Sequence, residues 1–376
     1  MPDSAGTNIR PTNFHINRPV HGSIKPSELR SLGLNPAEVL DFSASINPLG
    51  PPLALQSELQ KVDLTTYPDP ECLKLREAIG QHLDIDPSLI FVGNGSTEII
   101  HLIARLYLGH EPGGPESVFI LTPTYDEYRG ASELMRSKII SLDCEPNPPF
   151  SWDWDTVFKT IRIQKPALTF LCNPNNPTGV YTERDDITKL ASTLADVGGI
   201  LVIDEAYANF VEGRWESESL TQYGNVILLR SMTKDYALTG LRLGYSIASP
   251  EITKMLASLQ PDWSVNSLAQ VAGIVALTDN NYLINSRQAI KDIKTYLISE
   301  LESQGFNIPI PNANFILVET KDAHKLRTQL LMKGIVVRDC TSFGLPNYVR
   351  VGIRKLQDCK QLVVSMQELI NDGFEY

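Results

Sequence analysis

The chain has 376 residues, 42% of them hydrophobic and 20% charged, with a formal net charge of −11. That length and mix describe an ordinary globular protein with a large core and one or two domains, and the acidic balance excludes a basic surface tracking the phosphates of a nucleic acid. Five cysteines, Cys72, Cys144, Cys172, Cys340 and Cys359, form no CxxC pair, which argues against a disulfide framework and a metal site and fits a reducing, cytoplasmic setting.

In chain order, the polar start "MPDSAGTNIRPTNFHINRPV" has no apolar run of signal-peptide length and reads as a loose arm over 1–20. No later segment has the length to span a bilayer, so no membrane partner is expected. Short apolar runs then alternate with helix-like stretches, the pattern of an α/β domain with a mainly parallel sheet covered by helices. Five runs pass from strand into a polar loop: "SLIFVGNGSTE", "SVFILTPTYDEY", "ALTFLCNPNNPTG", "GILVIDEAYANF" and "NVILLRSMTKDY". Ligands of open α/β sheets sit outside the carboxyl ends of the strands, so these loops should converge on one cleft. Beyond about residue 285 the order changes to helix, "FILVET", helix, "GIVVRDC", "YVRVGIR", helix, which reads as a smaller α+β domain.

The loops carry the chemistry. In "GNGSTE" the glycines let backbone N–H groups approach a ligand, Ser96 and Thr97 add hydroxyls, and the following helix offers its positive end to an anion. The pattern is neither G-x-x-x-x-G-K-[ST] nor G-x-G-x-x-G, so nucleoside triphosphates and dinucleotides match poorly; a capped turn would read the same way. Asp204 follows "ILVI" at the rim of the sheet, where a carboxylate needs a positive partner: a ligand nitrogen, a helix terminus or a distant arginine would serve. Tyr207 stands three residues on. A loop lysine such as Lys234 is ordinarily solvated, but Ser231 and Arg242 flank it with groups suited to a phosphate dianion, and a lysine amine forms a Schiff base with a carbonyl. A phosphorylated aldehyde would satisfy every loop at once.

The constellation "GNGSTE", "TPTYDEY", "NPNNPTG", "DEAY" and "SMTKDYALTGLRLGY", in this order and spacing, resembles the fold-type-I pyridoxal phosphate enzymes of the class I/II aminotransferase family. The resemblance runs from about His21 to Arg354. It implies a seven-stranded, mainly parallel sheet sandwiched by helices, with pyridoxal 5'-phosphate as cofactor and a homodimer with active sites at its interface. It further implies an amino-terminal segment over 21–60 packing with the small domain, a large cofactor domain over 61–284 and a small domain over 285–376.

Carried over by position, the resemblance makes Lys234 the Schiff-base lysine and Asp204 the carboxylate that keeps the pyridine nitrogen protonated, so that the ring withdraws electrons from the substrate's α-carbon. Tyr207 and Asn176 would bond the ring's phenolic oxygen, and Tyr125 would stack on its face. Ser96, Thr97, Ser231 and Arg242 would hold the phosphate, with Tyr67 reaching it from the partner subunit. Arg350 resembles the arginine that forks onto the substrate carboxylate, and Arg338 the one that binds a distal anion. His21, Ser45, Asn47 and Asn176 complete the expected substrate contacts.

Within the family, "DFSASINPLGPP", "PDWSVNSLAQVAG" and "YVRVGIR" are most similar to the threonine-phosphate decarboxylases of cobalamin synthesis, with the histidinol-phosphate aminotransferases next. The expected substrate is an amino acid with a second anionic group, and the expected reaction is decarboxylation of L-threonine O-3-phosphate. Two departures stand out: Ser45 replaces the first asparagine of S-A-N-I-N-P-L-G, and Ser23 the second glycine after His21. A serine donates a hydrogen bond but reaches less far than an amide, which leaves open transamination of histidinol phosphate or an aromatic amino acid, or a β- or γ-elimination. The choice among these depends on which substrate bond stands perpendicular to the cofactor plane, and motifs do not report that pose. A cofactor-sensing transcription regulator would need a DNA-binding module, and the segment before His21 is too short for a helix-turn-helix domain.

Overall fold

The structure is a computed structural model that describes residues 19, 22, 24–109, 116–309 and 312–375. The expected arm, apart from Pro19, lies outside the described residues, as do His21 and Ser23. Among the described residues the twelve strands are β1 (Leu40–Asp41), β2 (Ile90–Asn94), β3 (Ser117–Thr122), β4 (Lys138–Asp143), β5 (Leu168–Cys172), β6 (Ile200–Asp204), β7 (Val226–Ser231), β8 (Leu243–Ile247), β9 (Phe315–Glu319), β10 (Ile335–Val336), β11 (Arg338–Asp339) and β12 (Tyr348–Gly352).

Seven of them form one sheet in the order β2-β8-β7-β6-β5-β3-β4. Neighbours from β7 to β4 pair parallel, and β8 alone runs against both of its neighbours. Strands β5 and β7 are buried throughout, because helices cover both faces of the sheet and leave no solvent side for alternation to mark. The period of two survives in what each side chain meets. Leu201 and Ile203 of β6 join one core with Ile187, Leu190 and Leu194 of the helix Arg184–Ala195. Val202 joins the opposite core with Ile99 and Ile103 of the helix Gly95–Leu108.

The five strands read from the sequence are β2, β3, β5, β6 and β7. The reading passed over β4, whose residues are only half-buried or exposed at the sheet edge, and β8, which lies inside a stretch taken for its chemistry. The remaining strands form the antiparallel sheet β11-β12-β9 and the parallel pair β1–β10. Their core gathers Ile290 and Leu297 of the helix Tyr282–Ser303, Leu326 of Ala323–Met332 and Leu362 and Met366 of Leu356–Asn371. Phe42 enters this core just after β1, and Glu28 accepts two hydrogen bonds from Arg327, at 2.7 and 2.6 Å.

Candidate active site

The carboxyl ends of β2, β3, β5, β6 and β7 open onto a cavity of about 380 Å³, closed on the far side by β11 and β12. Eleven of the residues singled out in the sequence line it: Ser96, Thr97, Tyr125, Asn176, Asp204, Tyr207, Ser231, Lys234, Arg242, Arg338 and Arg350. Parallel strands joined by helices end on the same edge of a sheet, so residues far apart in sequence meet there.

One end of the cavity is built for an anion. Ser96 and Thr97 stand in the first turn of the helix Gly95–Leu108. Gly95 has φ +77, and a Cβ on it would lie 2.8 Å from Nη2 of Arg242. A Cβ on Gly244 would lie 2.5 Å from the backbone nitrogen of Ser96. Both glycines are therefore required by the close approach of helix, strand and guanidinium. Arg242 donates through Nη1 to the carbonyl of Thr239 at 3.2 Å, and the Ser231 and Thr233 hydroxyls lie 2.7 Å apart.

At the other end Asp204 is 3% exposed. Its Oδ2 accepts from the Tyr128 hydroxyl at 2.8 Å and its Oδ1 from the Ala206 N–H at 3.0 Å. Among the described residues no cationic side chain pairs with it, and burial pushes its carboxyl above the usual range. A buried, uncompensated carboxylate on a cavity wall fits a ligand that brings an N–H cation. Lys234 is half-buried beside it. Burial, with Arg350 and Arg242 nearby, pushes its amine down to about 8, so an appreciable neutral fraction exists near neutral pH. Burial likewise pushes the Tyr207 phenol up to about 12, which keeps it a hydrogen-bond donor.

The third wall carries the two arginines. Arg338 and Arg350 are directly opposite each other across β11 and β12, and both are buried. Arg350 donates through Nη1 to Oδ1 of Asn176 and through Nη2 to the carbonyl of Ser43 at 2.8 Å, and its guanidinium lies 5.1 Å over the Phe315 ring. Among the described residues, Nε of Arg350 is buried without a partner. Arg338 donates to the carbonyl of Asp339 at 2.7 Å and to the Ser342 hydroxyl at 2.6 Å, stacked over Phe343.

Three described residues from the sequence reading are not in this lining. Ser45 is fully buried, its hydroxyl without a partner among the described residues and its carbonyl accepting from Asn314, while its neighbour Ala44 faces the cavity. Asn47 turns away from the cavity: its N–H donates to the carbonyl of Lys234 at 3.0 Å and its Nδ2 to that of Asp235 at 2.7 Å. It supports the lysine turn from behind and does not reach into the cavity. Tyr67 is 77% exposed and stacks on Trp263, with ring centroids 4.3 Å apart, away from the cavity of its own chain. His21 lies outside the described residues. Conversely, Tyr128, Cys172, Thr233, Thr239 and Phe343 belong to the site without having been singled out. The threonine hydroxyls flanking Lys234 in "SMTKDYALTG" were a legible signal. Nothing in "TPTYDEY" says that its second tyrosine reaches Asp204.

A cup for a phosphate, a buried carboxylate for a ring nitrogen and a lysine held partly neutral between them define a pyridoxal phosphate site on a fold-type-I scaffold. The sequence profile of the family described as aminotransferase class I and II matches residues 37–366, and the chain belongs to that family; it is a pyridoxal-phosphate-dependent enzyme. It is 33% identical over 353 residues to the histidinol-phosphate aminotransferase of Moorella thermoacetica, covering 92% of this chain and 89% of that protein. It is 36% identical over 361 residues to the adenosylcobalamin biosynthesis bifunctional protein CobDQ of Leptospira interrogans, covering 93% of this chain and 41% of that longer protein. The solved histidinol-phosphate aminotransferase of Sinorhizobium meliloti, in complex with pyridoxal-5'-phosphate, shares the fold with a TM-score of 0.83 at 20% identity, covering 93% of this chain and 95% of that one.

Proposed function

We propose that this enzyme decarboxylates L-threonine O-3-phosphate. The observation that carries the reading is the pair Arg338 and Arg350, in register on one cavity wall: two guanidinium groups lining one wall match a substrate with two anions, here a carboxylate and a phosphate. The "DFSASINPLGPP" likeness and the 36% identity to an adenosylcobalamin biosynthesis protein support it. Bound pyridoxal phosphate supplies the electron sink for breaking a bond at the substrate's α-carbon. In this reading Asp204 holds the proton of the ring nitrogen, Tyr207 and Asn176 donate to the ring oxygen, and Tyr125 packs on the ring face. Ser96, Thr97, Ser231 and Arg242 bind the phosphate. Arg350 orients the substrate carboxylate, Arg338 takes the distal phosphate, and Lys234 anchors the cofactor and returns a proton to the α-carbon.

Transamination of histidinol phosphate is the second reading, favoured by the 33% identity that extends over nearly the whole of such an enzyme. That substrate brings a phosphate but no carboxylate, so Arg350 would act only on a keto-acid partner. Incubating the cofactor-loaded protein with threonine phosphate, and separately with histidinol phosphate plus 2-oxoglutarate, separates the two by product: carbon dioxide or a new keto compound. The Arg338→Ala variant should raise KM for threonine phosphate about 10- to 100-fold, the loss of a charge-assisted contact, and leave free threonine unaffected. Absence of carbon dioxide from threonine phosphate rejects the decarboxylase reading.

We also read the chain as one half of a homodimer, with a large domain over 61–284, a small domain over 285–376 and the segment 21–60 packing against the latter. The exposed apolar side chains Leu64, Tyr67 and Trp263 support a covered surface there.

A further inference from the structure

The turn that carries Lys234 continues at once into a buried ionisable side chain, Asp235, which none of the roles above employs. It is 6% exposed. Its Oδ2 accepts from Nδ2 of Asn209 at 2.7 Å, and its Oδ1 from the N–H of Tyr236 at 2.8 Å. Asn209 lies in the 3-10 turn Ala208–Phe210, directly after Asp204 and Tyr207. The ladder between β6 and β7 ends at Asp204 opposite Leu229, five residues before Lys234. Among the described residues, the Asn209–Asp235 bond is the hydrogen bond that joins segment 205–211 to segment 232–238.

The chemistry of the contact is expensive for packing alone. Among the described residues, the charged and titratable groups that act on Asp235 include Arg230, Tyr236, Tyr245 and Tyr282, with Lys234 preceding it in the chain. Arg230, whose charge lowers the Asp235 carboxyl, is committed to Glu205 at 2.7 Å and Glu218 at 2.9 Å. Burial accordingly pushes the Asp235 carboxyl up to about 6. An apolar or amide side chain would fill the space at lower cost, so the carboxylate is explained by what its two oxygens hold.

We propose that Asp235 is a positioning residue: through Asn209 it latches the Lys234 turn to the segment bearing Asp204 and Tyr207, so that lysine, carboxylate and phenol keep one arrangement. Asn47 closes the same turn from the other side through the carbonyls of Lys234 and Asp235, and its Nδ2 also reaches Tyr282 and Ser286 of the helix Tyr282–Ser303. Asn47 and Asn209 thus fix the turn from two directions, and loss of either leaves it held on one side only.

The test exchanges donor and acceptor. Asn209→Asp sets two carboxyl groups face to face, so the latch survives only where they share a proton, toward acid pH, and is broken where both are ionised. Its kcat at pH 8 should fall at least about tenfold, the scale of a sub-ångström misplacement, and recover as the pH is lowered. The double variant Asn209→Asp with Asp235→Asn restores one acceptor and one donor, and should return kcat to within about twofold with no recovery on the acid side. The midpoint of the bound cofactor's absorbance change with pH should move in Asn209→Asp and return in the double variant. Melting temperatures are recorded throughout, and if Asn209→Asp does not fold, Asn209→Ala removes the donor without adding charge and should lower kcat with KM nearly unchanged. Because kcat is taken on whichever compound the unaltered enzyme turns over, the result is independent of the substrate proposed above. Folded Asn209 variants with the parent's kcat and absorbance midpoint, or a double variant no better than Asn209→Asp, overturn the latch.

Discussion

Lys234 and Asp204 share one cavity wall under opposite demands. Burial works against the charge of each, lowering the amine and raising the carboxyl, and neither is relieved by an ion pair among the described residues. Their relation is one that a bound cationic ring and a covalent anchor would resolve. The lysine shift predicts a direct readout. A folded-state value near 8, below the usual 10.5, means the amine becomes nucleophilic as the pH rises through 8. Competitive acetylation of the cofactor-free protein, followed by peptide mass mapping, should titrate Lys234 with a midpoint near pH 8. A Lys234 midpoint above 10 would show that water in the cavity compensates the burial. The Asp204→Asn variant should still take up the cofactor through its phosphate contacts and lose most turnover, about a hundredfold or more, since an amide cannot hold the ring proton by charge. Near-normal turnover would assign the carboxylate a structural task.

Strand β8 shows how an element without a catalytic side chain shapes the site. It runs against its neighbours between β2 and β7, and its Gly244 lies opposite Gly93 and Ser231. The lack of a Cβ there brings the start of the helix Gly95–Leu108 against the strand. Gly244→Ala forces a 2.5 Å contact with the Ser96 nitrogen, and backbone on both sides leaves little room to relax. The expected result is a cofactor dissociation constant raised about tenfold or more and a stability loss of about 1–3 kcal/mol, measured by absorbance titration and thermal melting. Gly240→Ala, with nothing within 4 Å of the added Cβ, is the matched control. Equal behaviour of the two variants would mean that the cup tolerates a wider spacing.

At the scale of the molecule, the site is assembled from chain ends and middle together. Strand β1 pairs with β10, Gly352 donates its N–H to the carbonyl of Phe42, and Arg350 reaches the carbonyl of Ser43, so the amino-terminal segment and the carboxyl-terminal sheet form one wall. Outside the cavity lining, Leu64 and Tyr67 stand 73% and 77% exposed, and Trp263 stacks on Tyr67. If that surface is covered by a second copy, the protein sediments at twice its 41.8 kDa mass, and Trp263→Glu shifts it to the single mass with reduced turnover. A parent protein that is monomeric and fully active would rule out a partner-completed site.

Much of the chemistry was legible from sequence alone because it is local to strand ends. An apolar run followed by "GNGSTE", "DEAY" or "SMTK" names both the strand and the loop beyond it, and a parallel sheet then obliges those loops to share one edge. That reasoning brought Ser96, Thr97, Asp204, Tyr207, Ser231, Lys234 and Arg242 to one cavity. It passed over β4, whose edge position blurs its burial, and β8, whose residues looked like chemistry. What only tertiary structure decided are contacts between segments with no pattern linking them. The Tyr128 hydroxyl finds Asp204, Asn209 finds Asp235, and Asn47 grips the Lys234 turn instead of entering the cavity. Local sequence sets which backbone forms and which face is apolar, but where a polar side chain ends depends on which other segment packing brings within hydrogen-bond reach, about 3 Å.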